Sequence, residues 1–343
     1  MTETAIRDAF AKQEGWCRLL GADFTAGLCQ VLGTILDRTT EVGRRVLDWP
    51  GDTAADALVL RLTGGLNALV RDGSLPALAV LYPPAAFERG AIETPLRAAL
   101  AHAALAAWLD GPPQTNEVGR AAVLMPGLMT IAAETGLPLA LFELGASAGL
   151  NLRLDTYAYD FGSFHCGPAD ATVRLAPHWE GPPPLAAKVA VAARRGVDLN
   201  PIDVTSDAGR ARLLAYVWPE QAARIDRLAA ALAAAALDPP IVDRADAAGW
   251  VEQRIAPRAG VATVVYHSIA FQYFPAVSRD RIATHLAAMG AVATAAAPLA
   301  WLRFEQEGGE SGVPPTLRLR LWPGDERLLA EAHPHGTSVR WFG

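Results

Sequence analysis

Leu139-Ala-Leu-Phe-Glu-Leu-Gly-Ala-Ser-Ala-Gly-Leu-Asn-Leu152 decides how this chain is read. An apolar run ends at Glu143-Leu144, and Gly145 and Gly149 then bracket three small residues. The pattern predicts a buried strand, a tight turn and the start of a helix. Glycines at such a junction let the main chain approach a ligand closely, and the first helical N–H groups point outward as donors. The stretch therefore has the outline of a nucleotide-type site. The same residues spell Gly-x-Ser-x-Gly, the turn that exposes a nucleophilic serine in α/β-hydrolases, with Ser147 in the nucleophile's place. Small residues at a strand-to-helix turn also serve close packing alone, so the flanking sequence has to decide.

Composition narrows the classes. A chain of 343 residues can bury a large core, and 51% hydrophobic with 19% charged residues is the balance of a folded globular protein rather than a disordered one. The net charge of −6 comes without a long block of one sign, which disfavours nucleic acid and anionic membranes as partners. Three cysteines, Cys17, Cys29 and Cys166, are odd in number and lack metal-type spacing, so neither a disulfide framework nor a zinc cluster is expected. Asp8, Lys12 and Glu14 interrupt the apolar residues near the start, leaving no signal-peptide core. The alanine-leucine run Leu228 to Leu237 is too short to span a bilayer. A cytoplasmic protein acting on a small molecule is the expectation.

Up to about Thr135 the pattern is helical. Ile6, Phe10 and Cys17 share one face, Asp23 is placed to cap Phe24 to Leu36, and Thr94-Pro95 reads as an N-cap and first turn opening a helix to Trp108. A further helix from about Glu117 ends at Gly136, where a left-handed C-cap glycine belongs, and Pro138 forbids continuation. An all-α domain over residues 1–136, a cap for the ligand crevice, is thus expected before an α/β domain over 137–343. Within the latter, Tyr157 to Phe161 and Thr172 to Leu175 alternate and predict a hairpin insertion at about 157–186. Strands are predicted over Val189 to Leu199, Ile241-Val242, Ala262 to His267, Pro298 to Phe304, Thr316 to Trp322 and Thr337 to Phe342. Helices are predicted over Asp207 to Trp218, Glu220 to Leu237 and Ser278 to Met289. Strands separated by helices imply a doubly wound, mostly parallel sheet, and the late strands joined by short turns imply an antiparallel C-terminal edge.

Gly196-Val-Asp-Leu-Asn-Pro201 raises the nucleotide reading. A carboxylate at the end of the second parallel strand is placed to hold ribose hydroxyls, and Asp198 stands there; taken alone it is equally an ordinary turn aspartate. Asp246 follows the third strand, where adenine is bound in such folds, although a lone aspartate there is more often a helix N-cap for Ala247 to Ile255.

Glu143-Leu-Gly-Ala-Ser-Ala-Gly149, Gly196 to Pro201 and Asp246, followed by strand, helix, strand and a terminal antiparallel hairpin, resemble the class I S-adenosylmethionine-dependent methyltransferases. The whole chain also resembles a bacterial family designated domain of unknown function 2332, through Phe142 to Asn151, Asp198 to Val204 and Ala332 to Gly336. The methyltransferase resemblance implies a Rossmann-like sheet and S-adenosylmethionine as cofactor. Gly145, Ser147, Gly149 and Asn151 would then lie along its methionine and ribose portion, with Glu143 at the amino group, Asp198 at the ribose and Asp246 at the adenine. Asp198 departs from the family pattern, standing much further from Gly149 than the usual twenty or so residues.

Ser147 as a nucleophile has a local match and a poor context. Helices precede it where a hydrolase has strands and an oxyanion loop, although Asp246 with His333 or His335 keeps the acid-then-histidine order. A nucleotide-binding protein without catalysis is a third reading. His267 ends a buried strand and is followed by Gln272 and Tyr273, so His267 or Tyr273 is the candidate base; a histidine there is as readily a hydrogen-bonded core residue. His333-Pro-His335 is half of a metal site at most, and a turn is the simpler reading. Trp301, Glu305 and Trp322 belong either to a substrate cavity or to core and rim.

Overall fold

The computed structural model describes residues 2–306 and 313–343. Two compact units emerge, one of residues 1–115 with 207–226 and one of residues 116–206 with 227–343.

The first unit is helical: α1 (Glu3–Leu19), α2 (Asp23–Ile35), α3 (Glu41–Leu47), α4 (Leu58–Arg71), α5 (Pro76–Ala79), α6 (Arg89–Leu100), α7 (Ala103–Ala106) and, from the later segment, α9 (Asp207–Ala215). Its core gathers Phe10, Leu28, Leu32, Leu62, Leu66 and Leu96. Asp23 lies inside the first turn of α2 rather than at its cap, which is Ala22; its charge there still favours the positive helix terminus. The helix expected to open at Thr94 starts instead at Arg89, with Pro95 inside it. Burial of Ile92 and Leu96 on either side of the proline outweighs its missing N–H.

The second unit is α/β. Its strands are β1 (Leu139–Leu144), β2 (Ala158–Asp160), β3 (His165–Cys166), β4 (Arg174–Leu175), β5 (His178–Glu180), β6 (Val191–Asp198), β7 (Val242–Arg244), β8 (Ala262–Ser268), β9 (Leu299–Glu305), β10 (Thr316–Trp322), β11 (Glu326–Ala332) and β12 (Ser338–Trp341). The nine-stranded main sheet has the order β5-β12-β11-β10-β9-β8-β1-β6-β7. From β7 to β9 every neighbour is parallel, and β9 to β12 form an antiparallel meander. Taking the parallel strands in chain order, the arrangement is 3-2-1-4-5, the Rossmann order, with its switch point between β1 and β8.

Helices cover both faces. α8 (Ala121–Thr135) is buried on nearly every side and brings Gly127 against Leu302 and Leu317. α11 (Ala247–Arg254) and α12 (Ala276–Ala291) pack Trp250, Val251, Ile282 and Leu286 on Leu144, Val197, Val265 and Trp301. Trp301 and Leu302 are consecutive in a strand and point to opposite faces, so the sheet is doubly wound. α10 (Ala222–Leu237) buries Leu228, Ala231, Leu232 and Ala235. No helix among the described residues is long and apolar enough to cross a membrane.

The excursion between β1 and β6 corrects two expectations. Tyr157 to Phe161 and Thr172 to Leu175 do pair, but in parallel, as β2 with β4; the hairpin partner of β2 is β3. No α-helix follows Gly149 either: Leu150–Thr156 is a seven-residue 3-10 stretch. Side-chain donors explain why. Tyr157 Oη donates to Leu150 O (2.6 Å), Tyr266 Oη to Asn151 O (3.1 Å), Arg194 Nη1 to Leu152 O (2.9 Å) and Tyr159 Oη to Leu154 O (2.6 Å). Carbonyls that an α-helix would pair with the N–H four residues on are taken by phenols and a guanidinium. Tyr157→Phe, which strips a buried carbonyl of its donor, should cost about 1–2 kcal/mol in denaturant unfolding. An unchanged midpoint would show that this hydrogen bond does not hold the segment.

Candidate functional site

The site lies where β1, β6, β7 and β8 end. β1 pairs directly with β6, Glu143 standing opposite Gly196, so the long excursion between them leaves the sheet intact. The glycine turn is folded onto the end of β6: Gly145 N and Ala146 N both donate to Val197 O, at 2.9 and 3.1 Å. Asp198 completes the tie. Its Oδ2 accepts from Ser147 N (2.9 Å) and its Oδ1 from Asn200 N (2.8 Å).

Gly145 and Gly149 have φ of 67° and 70°, and a Cβ on either would meet neighbours within 3 Å, Ala270 in one case and Pro240 in the other. Both backbone shape and packing therefore require glycine. Ser147 adopts φ 53° without being glycine and is 3% exposed. Ala146, Ala148 and Asn151 are buried as well. The turn is packed rather than open, and the face at Gly145 is closed by Ala270.

Beneath the turn, Glu143 is 2% exposed with its Oε2 unpartnered. Burial and the negative charge of Asp198 push its carboxyl well above the usual carboxylate range, against the opposing pull of Arg120 and Asn151. Asn151 Oδ1 is likewise buried and without a hydrogen-bond partner. Asp246 caps α11 through Oδ2, which accepts from Gly249 N at 3.0 Å, and its side chain is exposed at the end of β7.

The end of β8 is built differently. His267 is fully buried; its Nε2 accepts from Trp301 Nε1 (3.1 Å), and its Nδ1 lies 2.6 Å from Glu305 Oε1. An indole N–H can only donate, so Nε2 carries no proton and Nδ1–H donates to the carboxylate. Neither nitrogen is left for a substrate proton. Tyr273, by contrast, is 73% exposed on the loop that follows. Trp301 and Trp322 pack with α11 and α12, Trp322 against Gly290.

Several residues of the site are silent in the sequence. Asn116 Oδ1 accepts from Leu150 N (2.9 Å), Asn151 Nδ2 donates to Glu117 O (3.3 Å), and Glu117 Oε1 accepts from Gly119 N and stands 3.5 Å from Arg227. Arg120 donates to Ser268 O (2.7 Å) and Pro334 O (3.0 Å). Residues 116–120 thus join the glycine turn, the β8 loop and the Pro334-His335-Gly336 turn. The only hint of this was the placement of two polar residues, Asn116 and Glu117, just after Pro112-Pro113. In that last turn His335 N donates to His333 Nδ1 at 3.1 Å, and no group of three or more metal-ligating side chains forms among the described residues.

Sheet order, glycine turn and carboxyl-end acids make this a Rossmann-like α/β protein, with these residues gathered at the switch point of its sheet. The chain belongs to the family described as uncharacterised proteins conserved in bacteria (DUF2332), whose model matches residues 7–341. No curated protein and no solved structure matches it.

A carboxyl raised by folding contributes stability that is fully present below its ordinary value of 4.5 and is lost as pH rises through the folded value. Glu143→Gln stays neutral throughout. Its unfolding midpoint relative to wild type should therefore climb as pH rises above the ordinary carboxylate range. A difference that stays flat or falls with pH would contradict a neutral Glu143.

Proposed function

We propose that this chain transfers a methyl group from S-adenosylmethionine to a small molecule. The observation that carries the reading is the 2.9 Å hydrogen bond between Ser147 N and Asp198 Oδ2, residues 51 positions apart. It sets an acid at the end of the second parallel strand against the glycine turn at the end of the first, which is the adjacency that ribose recognition needs. Asp198 Oδ2 accepts from Ser147 N and Oδ1 from Asn200 N, and a carboxylate oxygen has a second lone pair that a hydroxyl can use. Glu143 and Asn151 hold buried oxygens without a donor, a fit to an amino group. Asp246, exposed at the end of β7, suits the adenine.

When bound, the cofactor supplies a methyl group activated on a sulfonium. The protein's part is alignment and exclusion of water, for which a packed turn and fixed acids are suited. Tyr273 is the available base for an acceptor proton, with His267 acting from beneath through the loop it supports. A cytoplasmic setting accords with three unpaired thiols.

Calorimetric titration with S-adenosylmethionine and S-adenosylhomocysteine tests the reading. Wild type should bind both, and Asp198→Asn should bind at least about tenfold more weakly, since a charge-assisted pair becomes neutral. Folded wild type that binds neither compound sinks the proposal.

One observation favours a second reading. The left-handed φ of Ser147 is the backbone strain that a nucleophile elbow also shows. A serine hydrolase would be labelled at Ser147 by a fluorophosphonate and silenced by Ser147→Gly. Methyl transfer predicts no labelling and retained S-adenosylhomocysteine binding in Ser147→Gly, whose φ glycine adopts without strain.

A further inference from the structure

Ser268 to Phe274 leave the sheet at the end of β8 along a path the chain does not prefer. Ile269 has φ 46°, a left-handed conformation that is unfavourable for a β-branched residue and persists only where its surroundings impose it. Its own N–H is held by Phe304 O at 2.7 Å, and the two residues after it are caught at once. Ala270 N and Phe271 N donate to Glu305 Oε1 at 3.0 and 3.1 Å, and His267 Nδ1 donates to the same oxygen at 2.6 Å. Three donors on one oxygen call for the full negative charge of a carboxylate. Burial would push that carboxyl up, yet the hydrogen bonds from His267, Ala270 and Phe271 outweigh it and hold the group below its ordinary value.

The support beneath is rigid. Trp301 fixes the tautomer of His267, and the Phe271 ring stacks on the imidazole with centroids 4.5 Å apart and planes 12° apart. Above, Ala270 closes on the glycine turn: a Cβ at Gly145 would lie 2.8 Å from that of Ala270. Arg120 holds Ser268 O.

We infer that Glu305 is the positioning residue of the crevice, clamping the loop Ser268–Phe274 against the glycine turn and so setting where Ala270 and Tyr273 stand relative to a bound ligand. The inference deepens, and rests on, the reading of this crevice as a cofactor site. Glu305 itself touches no ligand in this scheme; it acts through the two loop amides, while His267 is the spacer that keeps the carboxylate and the Phe271 ring in register.

Amide hydrogen exchange on the full-length protein tests the clamp directly. In wild type the Ala270 and Phe271 amides should exchange slowly, like those of Val264 to Tyr266 and unlike that of Gln272. In Glu305→Gln they should exchange at least about tenfold faster while the β8 amides stay slow, a local change that a merely structural role would spread through the sheet. S-adenosylhomocysteine binding should weaken in the same variant. Fast exchange at the two amides in wild type overturns the clamp even if the variant fails to fold. Equal exchange in wild type and folded Glu305→Gln also overturns it, as does a loosened loop with undiminished binding. If wild type binds no S-adenosylhomocysteine, the cofactor reading falls, and exchange at Ala270 and Phe271 still decides the clamp on its own.

Discussion

Direct parallel pairing of β1 with β6 is the constraint from which the rest of the α/β unit follows. The chain runs through a 3-10 stretch and a small three-stranded sheet before β6, yet Glu143 still meets Gly196 and Leu144 still meets Val197. The register is closed at its open end by one carboxylate, Asp198, which accepts the N–H of Ser147 and the N–H of Asn200. That tie adds to the hydrogen bonds from Gly145 N and Ala146 N to Val197 O, so three main-chain donors of the glycine turn are fixed on the end of β6. Gly196 contributes by being bare: a Cβ there would lie 2.6 Å from that of Ala146, so the turn could not fold down onto the strand.

Much of this arrangement is legible in the sequence because it rests on apolar runs and turn chemistry. β1, β8, β9 and β10 are strands of continuous or alternating apolar residues, and their limits in the structure differ by no more than a residue from those the pattern predicts. Gly136 closes α8, as its position before Pro138 implies. The 3-10 stretch was not legible, because its cause is tertiary. Leucines at 150, 152 and 154 carry no signal that Tyr157, Tyr159, Arg194 and Tyr266 will each take a carbonyl. β11 and β5 carry little strand signal either: Glu326–Ala332 is too charged to alternate cleanly, and β5 is three residues paired with β12.

The site divides along the same line. Glu143, Gly145, Ser147, Gly149 and Asp198 were visible because turn geometry and strand ends select those residue types, and the structure brings them together. Asn116, Glu117 and Arg120 were not, since each serves through a contact with a segment remote in sequence, such as Leu150 or Ser268. Asp246 shows both outcomes in one residue. It caps a helix, as an aspartate before Ala247 should, and its side chain is exposed just after β7.

Four carboxylates at these strand ends show how environment divides one functional group into different roles. Asp243 is held down to about 2, chiefly by the two-pronged hydrogen bonds of Arg195, and pins the edge strand β7 to β6. Glu305 is held below its ordinary value by three donors and is spent on a loop. Asp198 stands at the turn with an N–H on each oxygen. Glu143 is driven the other way, because burial beside a second acid leaves ionisation the costlier state. A purely structural position at the end of β1 would be filled more stably by leucine, which needs no partner. Keeping an acid there, buried beneath a glycine turn with one oxygen unpartnered and its ionisation opposed by burial and by Asp198, costs stability on folding.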